Sequence, residues 1–156
     1  MNSTQLLSKH FRDVHFGGNW TSVNLKDTLA GVNRQQATTK VHDLNTIAVL
    51  VFHINYYVAA ILKVFQGDAL DAHDKFSFDL LPINTEEEWQ ALVAKTLTEA
   101  AQLAVAIENL PEATLLQDFA DPKYGSYYRN ILGVTEHTHY HLGQIAIIKK
   151  MVTAGR

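Results

Sequence analysis

The feature that most constrains this chain is a dense apolar run, Ile47–Leu62, 16 residues that include only His53 and Asn55 as strongly polar interruptions. Its β-branched members (Ile47, Val49, Val51, Ile54) suit a strand, but the run continues to about Gln66, 18 or more residues without a turn signal. Such a length exceeds an ordinary strand of about 3–10 residues and points to a helix. The run also falls short of the roughly 20 apolar residues that a membrane span needs. A helix that is apolar nearly all round must be covered on every side, so this segment demands partner helices. Its N-cap is Asn45 or Thr46, and Gly67-Asp68 ends it.

Partners are visible on both sides. Ser3 to about Phe16 forms a modest amphipathic helix with Leu7, Phe11 and Val14 on one face, stopped by Gly17-Gly18. Residues 17–45 read as an ordered connector with short helical turns, one near Leu25–Leu29. After a connection over 67–84, Thr85-Glu86-Glu87-Glu88 carries a capping box, with Thr85 as N-cap and Glu88 reaching back. Three acids there complement the helix dipole, which explains them better than a catalytic carboxylate cluster does. Trp89, Leu92, Val93, Leu97, Ala100, Ala104 and Ile107 then follow at helical spacing. Pro111 and Pro122 bracket another connector, and Ser126 caps a last helix running to about Val152. One domain over residues 1–156, all-α, built as a four-helix bundle, is the expected architecture. The 67–84 connection is long enough to cross the bundle, which would leave the second and third long helices parallel.

Composition narrows the function classes. The chain is 47% hydrophobic and 19% charged, as expected of a globular domain and not of a disordered one. A net charge of −3 without a basic stripe argues against a nucleic-acid partner. Zero Cys excludes disulfides, zinc ribbons, iron–sulfur ligation and thiol nucleophiles, and fits a reducing compartment. The polar start Met1-Asn2-Ser3-Thr4-Gln5 lacks a signal-peptide pattern, so the expectation is a cytoplasmic protein without a membrane partner. No glycine-rich phosphate loop, nucleophile elbow or EF-hand occurs.

Eight His remain to be explained. In the last helix, His137 and His141 lie about 40° apart, one turn from each other, on a stripe shared with Asn130, Val134, Ile145 and Ile148. A random shuffle of eight His over 156 positions yields about 0.4 such pairs, so the spacing alone is cheap. The apolar stripe gives it weight. A buried imidazole left without partners costs about 1–3 kcal/mol, and two at one level call for a shared partner. A divalent metal is one, since neutral His is its commonest ligand. His53, the only His inside the apolar run, is the natural third ligand; a core histidine hydrogen-bonded to a carbonyl or a Tyr is the other reading. His10, His15, His42, His73 and His139 have no ligand-like partner at helical spacing and read as surface or structural, with His139 about 200° from His137. Tyr56 and Tyr57, one turn beyond His53, either pack in the core or line a pocket. Glu136 lies about 100° off the inward stripe and is not assigned as a general base.

Taken together, Gly17-Gly18-Asn19-Trp20, His53 deep in the second long helix, and His137-x-x-x-His141-Leu142-Gly143-Gln144 resemble the DinB/YfiT-like superfamily of metal-dependent enzymes over nearly the whole chain. The resemblance implies an up-down-down-up four-helix bundle in which His53, His137 and His141 hold a divalent transition metal. Nickel or zinc comes first, with manganese and iron as further candidates. Many members carry Arg after the last His, whereas Leu142 stands here, which puts a shared substrate in doubt and leaves metal binding untouched.

Three function classes follow. A three-His site with open coordination suits a metal-dependent hydrolase, or a transferase whose low-molecular-weight thiol cosubstrate supplies the sulfur this chain lacks. A non-catalytic metal-binding or stress-associated bundle, as a homodimer, is the alternative. A helical interaction module whose inward His need no metal is the third.

Overall fold

A computed structural model describes residues 1–154, which are helical and contain no strand beyond one isolated bridge between Asp118 and Ser126. The helices are α1 (Ser3–Phe16), α2 (Leu25–Leu29), α3 (Arg34–Thr38), α4 (Ile47–Phe65), α5 (Glu86–Glu108) and α6 (Tyr127–Thr153). Each long helix starts where a side-chain oxygen satisfies an otherwise free N–H. Asn2 and Gln5 form a capping box on α1, and Thr85 and Glu88 form one on α5. Thr46 accepts from the Val49 N–H on α4, and Ser126 from that of Arg129 on α6. Of the two N-cap candidates for α4, Thr46 therefore does the work. Gly17, at φ +112°, ends α1 in a conformation that L residues rarely adopt.

α5 and α6 each pack against both α1 and α4, and the four long helices enclose one core centred on Phe11, Ile54, Trp89, Leu103 and Ile131. Lys63 is the one exposed residue of α4. By length and composition α4 could cross a membrane, yet 61% of its most apolar stretch is buried within the bundle, the covered environment its composition demands. The Ser8 hydroxyl donates to the Ala104 carbonyl at 2.6 Å and the Ser3 N–H donates to Glu112 at 2.7 Å, so the start of α1 lies at the end of α5. Residues 17–45 wrap one end of the bundle: the Trp89 indole donates to the Val32 carbonyl at 2.7 Å, and Lys149 donates to the carbonyls of Thr28 and Ala30. Glu86, which reads as a capping acid, accepts the Arg34 N–H that opens α3, and this bond holds its carboxyl below the usual range.

Two details differ from the helical-wheel reading. The buried centre of α5 runs through Trp89, Thr96, Ala100, Leu103 and Ile107, while Leu92, Val93 and Leu97 flank it. Thr96 can occupy that line because its hydroxyl donates to the Leu92 carbonyl at 2.9 Å. In α6 the buried line includes Ile131, Thr135, Thr138 and Leu142, with both threonine hydroxyls bonded to the carbonyl four residues back. The expected stripe is buried as well, at Val134, His141, Ile145 and Ile148 with His137 half-buried, so the inward face of α6 is wider than that stripe.

The connection over 67–84 returns along α4. Tyr56 bonds both backbone groups of His73, Tyr57 donates to Asp74, and Ser77 sits beside His53. A 3₁₀ turn at Asp74–Phe76 shapes this return. The connection thus lies over the face of α4 that carries His53.

Candidate metal centre

α4 contributes His53 and α6 contributes His137 and His141, and one ring nitrogen from each lies within 4.8 Å of the others. His53 and His141 are buried and His137 is half-buried. The two α6 residues meet because a separation of four puts them one turn apart. His53 joins them because α4 and α6 pack side by side over this level.

The outer hydrogen bonds decide where the lone pairs point. His53 Nδ1–H donates to the Ser77 carbonyl at 3.1 Å, and His141 Nδ1–H donates to Gln144 Oε1 at 2.7 Å. Each bond places the proton on Nδ1 and the lone pair on Nε2, the arrangement found around metal-ligating histidines. Nε2 of His137 faces Nε2 of His53 at 2.9 Å. Facing nitrogens at this distance need a proton or a cation between them. A proton satisfies that pair alone and leaves His141 Nε2 without a partner; a divalent cation satisfies all three. The residues therefore fit a divalent metal, with three neutral nitrogen donors and no acid among the ligands.

Electrostatics favour the ligating form. Desolvation, then the proximity of His141 and His53, lowers the His137 pKa to about 4. His53 is lowered by desolvation, opposed by its bond to Ser77, and His141 by desolvation, opposed by its bond to Gln144. Each shift favours the neutral, ligating form of its ring. The Phe78 ring stacks on His53 at 3.8 Å between centroids, and Tyr57 stands edge-on to His53 and His137 at 5.3 and 5.0 Å. Burial and the Asp74 carboxylate, which accepts the Tyr57 proton at 2.6 Å, hold the phenol above its ordinary pKa. A cavity of about 530 Å³ opens beside His53 and His137, with Tyr57 on its wall.

Sequence reasoning named the three histidines and one wall residue, Tyr57; it missed the shell around them. Ser77 and Phe78 come from the connection and carried no recognisable signal. Gln144 did carry one, as a polar residue three positions after His141 on the same helix. Arg129 and Glu136 also line the cavity, so Glu136, although off the inward stripe, borders the site. Among the remaining histidines, His10, His42 and His73 are exposed, while His15 is fully buried and bonds the Phe11 carbonyl. His139 faces Asn19, away from the cluster. Trp20, part of the motif that carries the family resemblance, is fully exposed and touches neither core nor site. Leu142 is buried, so the position of the expected Arg faces packing and not the cavity.

No protein-family model matches this chain, and no curated protein or solved structure matches it.

Proposed function

We propose that this chain is a three-histidine metal protein of the DinB/YfiT kind, and that it acts as a metal-dependent enzyme on a small molecule. The observation that carries this reading is the convergence of three neutral imidazoles beside a cavity, two of them with the proton held on the outer nitrogen by Ser77 and Gln144. The helix contacts support the up-down-down-up order: the start of α1 meets the end of α5, Phe65 near the end of α4 meets Tyr127 at the start of α6, and the 67–84 connection returns along α4 before α5 begins.

When bound, a divalent metal with three neutral ligands would supply Lewis-acid activation of a water or a substrate thiol. The chain's own groups do the rest. His53, His137 and His141 would hold the metal through neutral nitrogens alone, with no carboxylate among the clustered groups. Phe78 covers one face of His53 and excludes water from it, while Tyr57 presents its ring between the site and the Asp74 carboxylate. Hydrolysis and transfer of a low-molecular-weight thiol remain the two chemistries this geometry serves, and zinc and nickel the first metals to try, with manganese and iron(II) after them.

Elemental analysis of the purified protein beside His53→Ala and His137→Ala tests the reading. The expected result is about one equivalent of transition metal in the parent and none in either variant. A parent that stays metal-free after reconstitution with zinc, nickel, manganese and iron(II) would overturn it.

A further inference from the structure

The cavity beside the histidines contains two charged side chains for which metal binding has no use. Arg129 and Glu136 both line it, and Ile61, Leu132 and Val134 give it an apolar middle. Neither charge takes part in an ion pair among the described residues. Arg129 gives a single side-chain hydrogen bond, from Nη1 to the Tyr124 carbonyl at 3.0 Å, a neutral acceptor that leaves its charge and most of its donors free. Its stem is seated by the turn before α6: Gly125, at φ +75°, lies so close that a Cβ there would come within 2.9 Å of Arg129 Cδ. Seven residues separate Arg129 from Glu136, about two turns and 10 Å along one face of α6. Glu136 adjoins His137. The cavity thus has an acid beside the metal end, an apolar centre and a free cation at the far end.

We infer that the substrate is an amphipathic small molecule with a carboxylate, held by Arg129 at about 10 Å from its reacting end. Resting on the metal-site reading above, this names the substrate class for that site. A guanidinium with open donors suits a carboxylate, which accepts two parallel N–H bonds from it. Glu136 repels that carboxylate from the metal end, so the two charges together set the direction of entry. One acid and one base on the wall leave no net excess of positive charge to favour a dianionic group.

The test compares 6-mercaptohexanoate with 6-mercaptohexanol, which share chain and thiol and differ in the charged end. Both are titrated calorimetrically into the zinc-loaded parent, Arg129→Gln, Arg129→Lys and Glu136→Gln, with the zinc content of each protein measured first. The parent is expected to bind the acid about tenfold more tightly than the alcohol. In Arg129→Gln the two should fall within about twofold, through weaker binding of the acid alone, while Arg129→Lys keeps part of the preference. Glu136→Gln should not weaken the acid. A parent that binds both thiols equally, or a preference that survives in Arg129→Gln, overturns the carboxylate anchor and leaves the metal site standing. A parent that takes up no zinc overturns both readings, whereas one that holds zinc and binds neither thiol overturns the carboxylate-anchored substrate and leaves the metal site standing.

Discussion

Histidines lie on two faces of α6, and the two faces treat them differently. On one, His137 and His141 meet His53 with ring nitrogens converging on a single point. On the other, His139 Nε2 accepts from the Asn19 amide at 3.0 Å and its ring stands edge-on to His10 at 6.5 Å. Nearby His15 is the most buried imidazole of all, at 0% exposure, and its Nδ1–H donates to the Phe11 carbonyl at 2.9 Å. Its Nε2 meets no partner. Burial therefore does not mark a ligand in this molecule. The direction of the second ring nitrogen does: toward two others in one cluster, toward local partners or none in the other.

The largest expected effect belongs to the cluster without convergence. Desolvation, only partly offset by the bond to Phe11, lowers the His15 pKa from 6.5 to about 4. Between those values the unfolded chain binds a proton that the folded chain refuses. The stability this ring contributes is thus complete above about pH 6.5 and is lost as pH falls toward 4. From pH 7 to 4.5 the loss is on the order of 2–3 kcal/mol. Urea unfolding of metal-free protein at both pH values should show that loss reduced by this amount in His15→Leu. Parallel behaviour of parent and variant would remove His15 from the acid sensitivity of the fold.

Added zinc sharpens the contrast between faces. At 100 times the dissociation constant it should raise the stability of the parent by about 2.7 kcal/mol. Thermal melts of His139→Ala should keep the gain, and those of His141→Ala should lose it. Equal gains in the two variants would erase the distinction between the faces.

A smaller effect tests the outer hydrogen bond. Gln144→Ala removes the acceptor of the His141 Nδ1–H and should weaken zinc about 10–100-fold in a competition titration with a chelator. Gln144→Glu, which keeps an acceptor, should retain affinity. An unchanged dissociation constant in Gln144→Ala would mean that packing alone orients His141.

Much of the fold was legible because its signals are local. Caps at Thr85 and Ser126, the glycine stop after Phe16, and the unbroken run of α4 act within a few residues of themselves. The wheel-based faces were less accurate, since Thr96, Thr135 and Thr138 occupy buried lines that polarity assigns elsewhere. Each hydroxyl is satisfied by its own helix four residues back, so its burial costs little. The short α3 was read only as one of several turns, although Asn33 and Gln36 form a capping box at its start; five residues carry no periodicity, and Glu86, 52 positions away, adds a bond to its first N–H. At the site, all three ligand candidates were legible, whereas Ser77 and Phe78 were not: a backbone carbonyl and one aromatic among seven Phe leave no pattern.

The sequence by itself determined that α4 must be buried on all sides, that α5 and α6 begin where they do, and that His137 and His141 share a face. Helix periodicity and capping act over one or two turns and need no tertiary context. Only the tertiary structure decided that His53, 84 positions from His137, would turn its Nε2 to within 2.9 Å of it. The same packing laid the 67–84 connection over that ring, and set Arg129 and Glu136 on one cavity wall with the site. Those outcomes depend on which helices pack together and at what level, and that is set by the whole core.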